Sequence, residues 1–422
     1  MSRLVPPDSL SARGEERVGV RGPDPSSGRL LPGLPLGVYV HFPFCSIRCP
    51  YCDFAVDTRA ADVVPHDGYA DAVIAELGAR RPWFDGAGPL VSIYFGGGTP
   101  GLWRPDALGR VVAAVRAAFG EPPADALEIT VEANPGEVDV ARLAALRAVG
   151  VNRLSLGAQA FDDALLRALG RNHDAAAIPA AVRAARDAGI ASLSLDLIFG
   201  VPGQTRDGWG RALDAALALG PEHVSAYALT IERGTAFGAL DRAGRLPRPD
   251  DEAVAALFED ARAAFAAAGL PQYEVSSYAR PGHRARHNSL YWTGAPYLGL
   301  GASASSFRPL ADGTGVRFTN PRATDTYLKA AKAGGGVIAP RLCERRDRDA
   351  LENEALWLGL RTTDGVDRAA HQARHGRDPL VGRAAAVDGC VRSGWLRVED
   401  ARLSLTPTGF LFADEVAARL WS

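Results

Sequence analysis

Short apolar runs alternate along this chain with longer stretches whose apolar residues recur at helical spacing. The short runs have the length and composition of strands, and they cover 38–42, 90–95, 127–133, 152–158, 191–200 and 222–230. The longer stretches between them predict helices over 66–81, 105–118, 139–149, 174–188, 205–219 and 250–267. Strands that alternate with helices favour parallel βα units. The pattern therefore predicts an α/β fold with an incomplete TIM-like (βα)6 barrel over residues 37–270.

The segments around this barrel have other patterns. Residues 1–36 mix Arg, Pro, Gly and Ser without an apolar period, which predicts a disordered leader. Residues 271–344 continue the barrel as an extension. Residues 345–422 run helix, hairpin, helix, and predict a winged-helix-like α/β module. Its hairpin tip carries Val398, Glu399 and Asp400, and because these acids would repel phosphate we expect a cap or partner surface instead of a DNA-binding wing.

Composition narrows the possible partners. The chain has 422 residues, of which 47% are hydrophobic, so it can bury a large core. Its net charge of -2 gives no general electrostatic reason to bind nucleic acid or an anionic membrane. No stretch approaches the roughly 20 uncharged apolar residues that cross a bilayer. We therefore expect neither nucleic acid as a partner nor a transmembrane segment.

Three cysteines lie within eight residues in the segment HFPFCSIRCPYCDF, where Cys45, Cys49 and Cys52 form a CxxxCxxC pattern. Clustered thiolates bind soft metals. Structural zinc needs four ligands, and His41 is the best candidate for the fourth. A [4Fe-4S] cluster held by three cysteines would keep one iron open for a small molecule. The pattern favours this cluster, with zinc as the alternative, and an open cluster needs a reducing compartment, which predicts the cytoplasm.

Further polar residues and glycines follow the predicted strands, at the edge where a barrel carries its chemistry. Glycines after the second strand let backbone groups approach a ligand, although a simple tight loop explains them equally well. Asp196 lies on a polar strand face that the apolar/polar alternation turns inward, whereas Asp196 or Arg171 alone would more often be structural. The candidate set in this region is Gly97, Gly98, Thr99, Glu132, Gln159, Arg171 and Asp196.

The cysteine pattern with Tyr51 before its last cysteine resembles the signature of radical S-adenosylmethionine (SAM) proteins. The flanking YVHFPFC and CDF are similar to the branch that contains oxygen-independent coproporphyrinogen III oxidase and the HemW-like heme chaperones. The resemblance implies that SAM binds the open iron and that GGGTP cradles its methionine amino group. It further implies that Glu132, Gln159, Arg171 and Asp196 contact SAM. Tyr39 matches an aromatic near the cluster, although an inward-facing strand tyrosine would look the same.

A second aromatic and basic segment, HNSLYW, follows the barrel. His287 lies there among arginines and before a tyrosine and a tryptophan. Imidazole ligates heme iron, guanidinium pairs with propionates, and aromatic rings stack on a macrocycle. Spacing alone favours a basic surface loop. The segment resembles the HNxxYW of HemW-like proteins, and this resemblance implies a heme contact at His287.

One departure distinguishes the two functions within this branch. Coproporphyrinogen dehydrogenases carry a fourth cysteine two residues after the third, and here that position is Phe54. The N-terminal segment also lacks their tyrosines. The resemblance therefore implies a non-catalytic chaperone that passes heme to acceptor hemoproteins, including respiratory-chain proteins, and that forms a homodimer. The alternative is a radical SAM coproporphyrinogen III dehydrogenase, an oxidoreductase of porphyrin metabolism.

Overall fold

Strands and helices alternate through the first part of the chain. The computed structural model of the protein describes residues 24–123, 126–334, 336, 338–399 and 401–421. The first eight strands are β1 Leu36–Phe42, β2 Phe44–Cys45, β3 Asp57–Thr58, β4 Leu90–Gly97, β5 Glu128–Ala133, β6 Arg153–Gln159, β7 Ser192–Phe199 and β8 His223–Ala228. The first eight helices are α1 His66–Arg80, α2 Pro105–Phe119, α3 Val140–Ala148, α4 Asp163–Ala168, α5 Ala177–Asp187, α6 Arg206–Ala218, α7 Ala236–Arg242 and α8 Asp251–Ala267.

Six of these strands form the predicted barrel. They pair in the order β1, β4, β5, β6, β7 and β8, and every pair is parallel. Strand β7 shows why the alternation specifies the fold, because Leu193, Leu195 and Leu197 are fully buried while Asp196 projects from the opposite face. The helices cover the apolar faces. The prediction of an incomplete (βα)6 barrel is confirmed.

The extension lengthens the sheet at both edges. Its elements are β9 Gln272–Glu274, β10 Ser277–Ala279, α9 Arg286–Trp292, β11 Tyr297–Leu300, β12 Ser305–Pro309, β13 Gly315–Thr319, α10 Thr324–Ala333 and β14 Leu342–Arg346. Strand β11 pairs in parallel with β1, and β10 pairs antiparallel with β8. The result is one sheet of 12 strands that runs from β14 to β9. Its six-strand centre carries the candidate site.

Part of the predicted leader is ordered, so the expectation of disorder over residues 1–36 is wrong for residues 24–36. The first 23 residues lie outside the described part of the chain. The following segment packs on β12, where Leu30 is 2% exposed. The Arg308 guanidinium donates hydrogen bonds to the backbone carbonyls of Pro25, Ser27 and Gly28 at 2.6, 3.1 and 2.9 Å. A distant arginine therefore holds a segment that has no secondary-structure period of its own.

The C-terminal module follows the winged-helix order of elements, as predicted. It consists of α11 Arg348–Leu360, β15 Val366–Asp367, α12 Arg368–His375, α13 Ala384–Arg392, β16 Leu396–Glu399, β17 Arg402–Leu405 and α14 Ala413–Leu420. Its three strands form an antiparallel sheet in the order β15, β17, β16. Of the acidic hairpin tip, Asp400 lies outside the described residues. Throughout the described part of the chain, no helix is long and apolar enough to cross a membrane.

Glu274 lies where the barrel meets this module, and it should make stability depend on pH. The Val275 amide beside it donates to the Arg361 carbonyl of the module at 2.9 Å. Glu274 is 2% exposed, and burial raises its pKa from 4.5 to about 7. The folded carboxyl keeps a proton that the unfolded chain loses, so this group lowers the free energy of unfolding as pH rises from 4.5 to about 7.

The variant Glu274→Gln keeps the acceptor and removes this titration. Its stability relative to the unmodified protein should increase between about pH 5 and about pH 8 by on the order of 3 kcal/mol. Thermal unfolding at both pH values measures the difference, with Glu259→Gln on the exposed side of α8 as the control. A difference that is the same at both pH values would contradict the expectation.

Candidate metal and cofactor site

The three cysteines of the predicted metal site lie on one loop at the end of the first barrel strand. Cys45 ends β2, which pairs in parallel with β3, so the loop that carries Cys49 and Cys52 is closed by a short ladder. The Cys52 amide donates to the Cys49 carbonyl at 3.2 Å. All three are free thiols and half-buried. The loop therefore holds three thiols on one short, folded segment.

A ring of polar contacts joins two of these thiols to the ends of three barrel strands. The Thr99 hydroxyl donates to Cys45 Sγ at 3.5 Å and accepts from Asn134 Nδ2 at 3.2 Å. Arg171 Nη2 donates to Asn134 Oδ1 and to the Gly157 carbonyl, the latter at 3.0 Å. Arg171 Nη1 donates to Cys49 Sγ at 3.6 Å. Thr99 and Arg171, both predicted from sequence, thus contact the cysteine loop directly.

The donor set fits an iron-sulfur cluster better than zinc. His41, the proposed fourth zinc ligand, is buried, and its two ring nitrogens lie 3.1 Å from the Tyr39 hydroxyl and 2.9 Å from the Ala55 carbonyl. No three His, Cys, Asp or Glu side chains of the described residues have the spacing of a single-ion site. Cubane thiolates bind different irons and lie farther apart than ligands of one ion. Burial raises the pKa of the Cys45 thiol to about 11, so its thiolate form needs a bound metal.

Glu132 lies at the carboxyl end of β5, beside the glycine-rich segment 96–98. Its Oε1 accepts from the Tyr94 hydroxyl at 2.7 Å, and its Oε2 accepts from the Gly97 amide at 3.2 Å. Burial, with a further contribution from the charge of Asp196, raises the pKa of Glu132 to about 7. The Glu132 carboxylate is therefore held in place by two donors while its charge is poorly solvated.

Asp196 is the second acidic group of this region. Its carboxylate accepts from the Ser155 hydroxyl at 2.8 and 3.0 Å and from the Ser194 hydroxyl at 3.3 Å. Burial raises the pKa of Asp196. Among the described residues, neither Asp196 nor Glu132 has an arginine or lysine as a hydrogen-bond partner. Two poorly solvated carboxylates fit a cationic ligand such as SAM, which carries a sulfonium group.

Packing against residues 41–44, which lead into the cysteine loop, explains the glycines at the end of β4. Gly97 has a φ of +110°, and a Cβ there would lie 2.5 Å from the His41 ring. A Cβ on Gly98 would lie 2.7 Å from the Phe44 carbonyl oxygen. The Gly98 and Thr99 amides donate to the carbonyls of Phe42 and Phe44 at 2.8 and 2.9 Å. Close packing therefore demands the glycines. The amino group of a ligand, which donates hydrogen bonds and needs acceptors, does not compete for these amides.

Gln159 ends β6 with a backbone conformation that is rare for its residue type. Its φ of +64° lies in the left-handed region, and the pairing of β6 with β7 shifts register just before it. A non-glycine residue held there costs on the order of 1 kcal/mol, and such strain clusters at ligand sites. The left-handed conformation of Gln159 ends β6 close to Arg171, whose guanidinium donates a hydrogen bond to the Gly157 carbonyl.

Tyr39 and His287 lie together in an aromatic stack inside the barrel. The Tyr39 and Tyr94 rings are stacked with centroids 6.1 Å apart, and the Tyr94 and His287 rings with centroids 5.1 Å apart. His287 is 1% exposed, and its ring nitrogens lie 2.9 Å from the Ser92 and Tyr291 hydroxyls. The sequence suggested a basic surface loop or a heme contact, and the structure shows a buried histidine with both ring nitrogens hydrogen-bonded.

Three residues of this site were missed from the sequence. Tyr94 bonds Glu132, Ser155 bonds Asp196, and Asn134 joins Thr99 to Arg171. Asn134 directly follows a predicted strand, the same signal that singled out Gln159. Tyr94 and Ser155 project from barrel strands, and only their polarity within apolar runs marked them.

Comparison with known proteins agrees with this architecture. Residues 39–216 match the Radical SAM superfamily, and residues 347–412 match the HemN C-terminal domain. A radical SAM domain implies a [4Fe-4S] cluster and SAM. The fold is similar to that of the coproporphyrinogen III oxidase HemN of Escherichia coli, with a TM-score of 0.77 at 23% identity, covering 93% of this chain and 91% of that one.

Sequence similarity is higher to a second group of proteins. The chain is 39% identical over 339 residues to the heme chaperone HemW of Synechocystis, covering 79% of each protein. It is 37% identical over 391 residues to the heme chaperone HemW of Mycobacterium tuberculosis, covering 92% of this chain and 96% of that protein. The similarity spans the barrel and reaches into the C-terminal module. The chain belongs to the HemW family of radical SAM proteins.

Proposed function

We propose that this protein is a heme chaperone, which binds heme and transfers it to acceptor hemoproteins. The observation that carries the proposal is the similarity, over 92% of the chain, to a protein named heme chaperone HemW. Phe54 supports it, since the oxidase branch has a fourth cysteine at this position. Respiratory-chain hemoproteins are the proposed acceptors, the cytoplasm the proposed compartment, and a homodimer the proposed assembly.

In this proposal Cys45, Cys49 and Cys52 hold the [4Fe-4S] cluster. When bound, the cluster supplies an open iron that SAM chelates through its amino and carboxylate groups. Glu132 and Asp196 offset the positive charge of SAM, and Thr99 and Arg171 orient two of the thiolates through the contacts at 3.5 and 3.6 Å. The remaining residues proposed to line the SAM pocket are Tyr39, Gly97, Gly98 and Gln159.

His287 remains the candidate heme contact that the HNSLYW segment suggests. Iron ligation through Nε2 would replace its hydrogen bond to Tyr291, and the helix α9 that carries it would have to move, because the ring is buried. If the His287 ring can reach the iron only after such a rearrangement, heme binding should be slow. The substitution His287→Ala tests this residue directly.

Titration with heme tests the function. The purified protein is expected to produce a shifted Soret band that saturates at one heme per chain, because a carrier must hold its cargo stoichiometrically. Incubation with an apo-hemoprotein should then transfer the heme. A protein without a saturable Soret shift would contradict the proposal.

The dehydrogenase alternative is tested in the same preparation. Anaerobic incubation with SAM, dithionite and coproporphyrinogen III should yield no vinyl-bearing product. Formation of that product, without heme binding, would favour the enzyme.

A further inference from the structure

A cavity of about 610 Å³ lies beside the cysteine loop. Its walls are Arg48, residues 54–59 and residues 322–325, so one side comes from the loop itself and the other from the start of α10. Cavities of about 300–1,000 Å³ are typical of sites for small molecules and cofactors. None of the residues proposed to bind SAM lines it.

The three arginines of the cavity differ in how firmly they are paired. Arg59 is already paired with Asp57 and Asp325, at 2.8 and 3.1 Å. Arg48 is exposed, and within the described residues it forms no hydrogen bond or ion pair. Arg322 donates to the Asp53 backbone carbonyl at 2.7 Å and lies 3.9 Å from that residue's carboxylate. An anionic ligand would therefore meet the guanidinium groups of Arg48 and Arg322.

The same cavity exposes an aromatic ring. The Phe54 side chain is 57% exposed, although phenylalanine is usually buried. The buried Ala55 and the half-buried Val56 follow it in the cavity wall. Ile47 on the same loop is 37% exposed. These exposed apolar side chains offer a contact surface for the apolar face of a ligand.

We infer that this cavity binds a flat macrocycle with two carboxylates, which is the chemistry of a porphyrin. The inference rests on the proposed function and places its cargo beside the cysteine loop instead of at His287. Phe54 packs against the ring face, and Arg48 and Arg322 pair with the two carboxylates. An acidic protein would satisfy the arginines as well, but the volume of about 610 Å³ and the exposed ring favour a small planar ligand.

The side chains that line the cavity bear on how heme would pass to an acceptor protein. It includes no His, Cys, Met or Tyr side chain, and these are the usual axial ligands of heme iron. The cavity therefore contacts the carboxylates and the ring face and does not ligate the iron. The axial position on the face away from Phe54 stays available to an acceptor protein, whose own ligand can take the iron while the carrier still holds the propionates.

The test uses metal-free protoporphyrin IX, because its binding reports the grip on the ring and carboxylates without iron ligation. Two variants of the cavity wall, called the cavity variants, are made: Arg48→Glu/Arg322→Glu and Phe54→Ala. The matched control is Arg211→Glu/Arg392→Glu, which changes the charge equally at two exposed arginines of α6 and α13. Fluorescence titration should show that both cavity variants bind protoporphyrin IX at least about tenfold more weakly, whereas the control binds it as the unmodified protein does. The dimethyl ester should bind the unmodified protein weakly and be insensitive to the arginine substitutions.

Each other outcome has a distinct meaning. Far-UV circular dichroism and iron content must match the unmodified protein, and Phe54→Leu should restore part of the affinity. Cavity variants that bind protoporphyrin IX like the unmodified protein overturn the inference, and a loss of heme binding confined to His287→Ala then assigns the macrocycle to that residue. If the cavity variants bind protoporphyrin IX normally, but their [4Fe-4S] cluster is reduced more slowly by an acidic electron-carrier protein, the cavity is a protein-docking surface. An unmodified protein that binds neither heme nor protoporphyrin refutes the proposed function itself.

Discussion

Replacing Cys49 by serine is expected to abolish assembly of the [4Fe-4S] cluster. A serine hydroxyl is a far weaker ligand for iron than a thiolate, and a cluster held by only two cysteines is lost during purification. After anaerobic reconstitution, iron and acid-labile sulfide should fall to background, and the visible absorbance of the cluster should disappear. SAM binding, measured by equilibrium dialysis, should be lost as well, because its proposed chelation site is an iron of that cluster.

Cys343→Ser is the matched control for this experiment. Cys343 is a half-buried free thiol on β14, remote in sequence from the metal loop. Its replacement should leave iron, sulfide and SAM binding as in the unmodified protein. If Cys49→Ser kept full iron and sulfide, the assignment of the three-cysteine loop would be wrong. One zinc per chain without sulfide would instead support the zinc alternative.

Replacing Arg171 by alanine should have the second largest effect. Its guanidinium joins the Asn134 side chain, the Gly157 carbonyl and the Cys49 sulfur, so its loss leaves three acceptors without their donor. We expect the free energy of unfolding to fall by about 2 kcal/mol. SAM affinity should weaken about tenfold or more, because the loops that face the cluster would no longer be held together.

Two further variants separate the geometry of Arg171 from its charge. Arg171→Lys keeps the charge, but one ammonium group cannot reproduce the planar fork that reaches three acceptors, so an intermediate loss is expected. Arg167→Ala, on the exposed face of α4, is the control and should behave like the unmodified protein. Denaturant unfolding and SAM dialysis measure all three. Equal SAM affinity in the Arg171→Ala and Arg167→Ala variants would exclude a role for Arg171 in the SAM site.

Much of the candidate site could be predicted from local patterns. The alternation in SLSLDLIF indicated that Asp196 faces inward, and the position of Glu132 at the end of a strand indicated that it lies at the barrel mouth. Both inferences need only the period of a strand and the rule that parallel strands present their carboxyl ends at one edge. The same reasoning could not predict Tyr94 as the donor to Glu132, since it does not say which neighbouring strand supplies a partner.

The sequence alone determined the order of βα units and the spacing of the three thiols, because both depend on residues that are near neighbours in the chain. Tertiary structure decided which distant groups meet. Arg171 reaches Cys49 across 122 positions, and Arg308 holds the segment around Gly28 across 280. It also decided that His287 is buried behind Tyr94 and that Phe54 is exposed beside two arginines. Such pairings follow from how the strands are ordered around the barrel, and no local period encodes them.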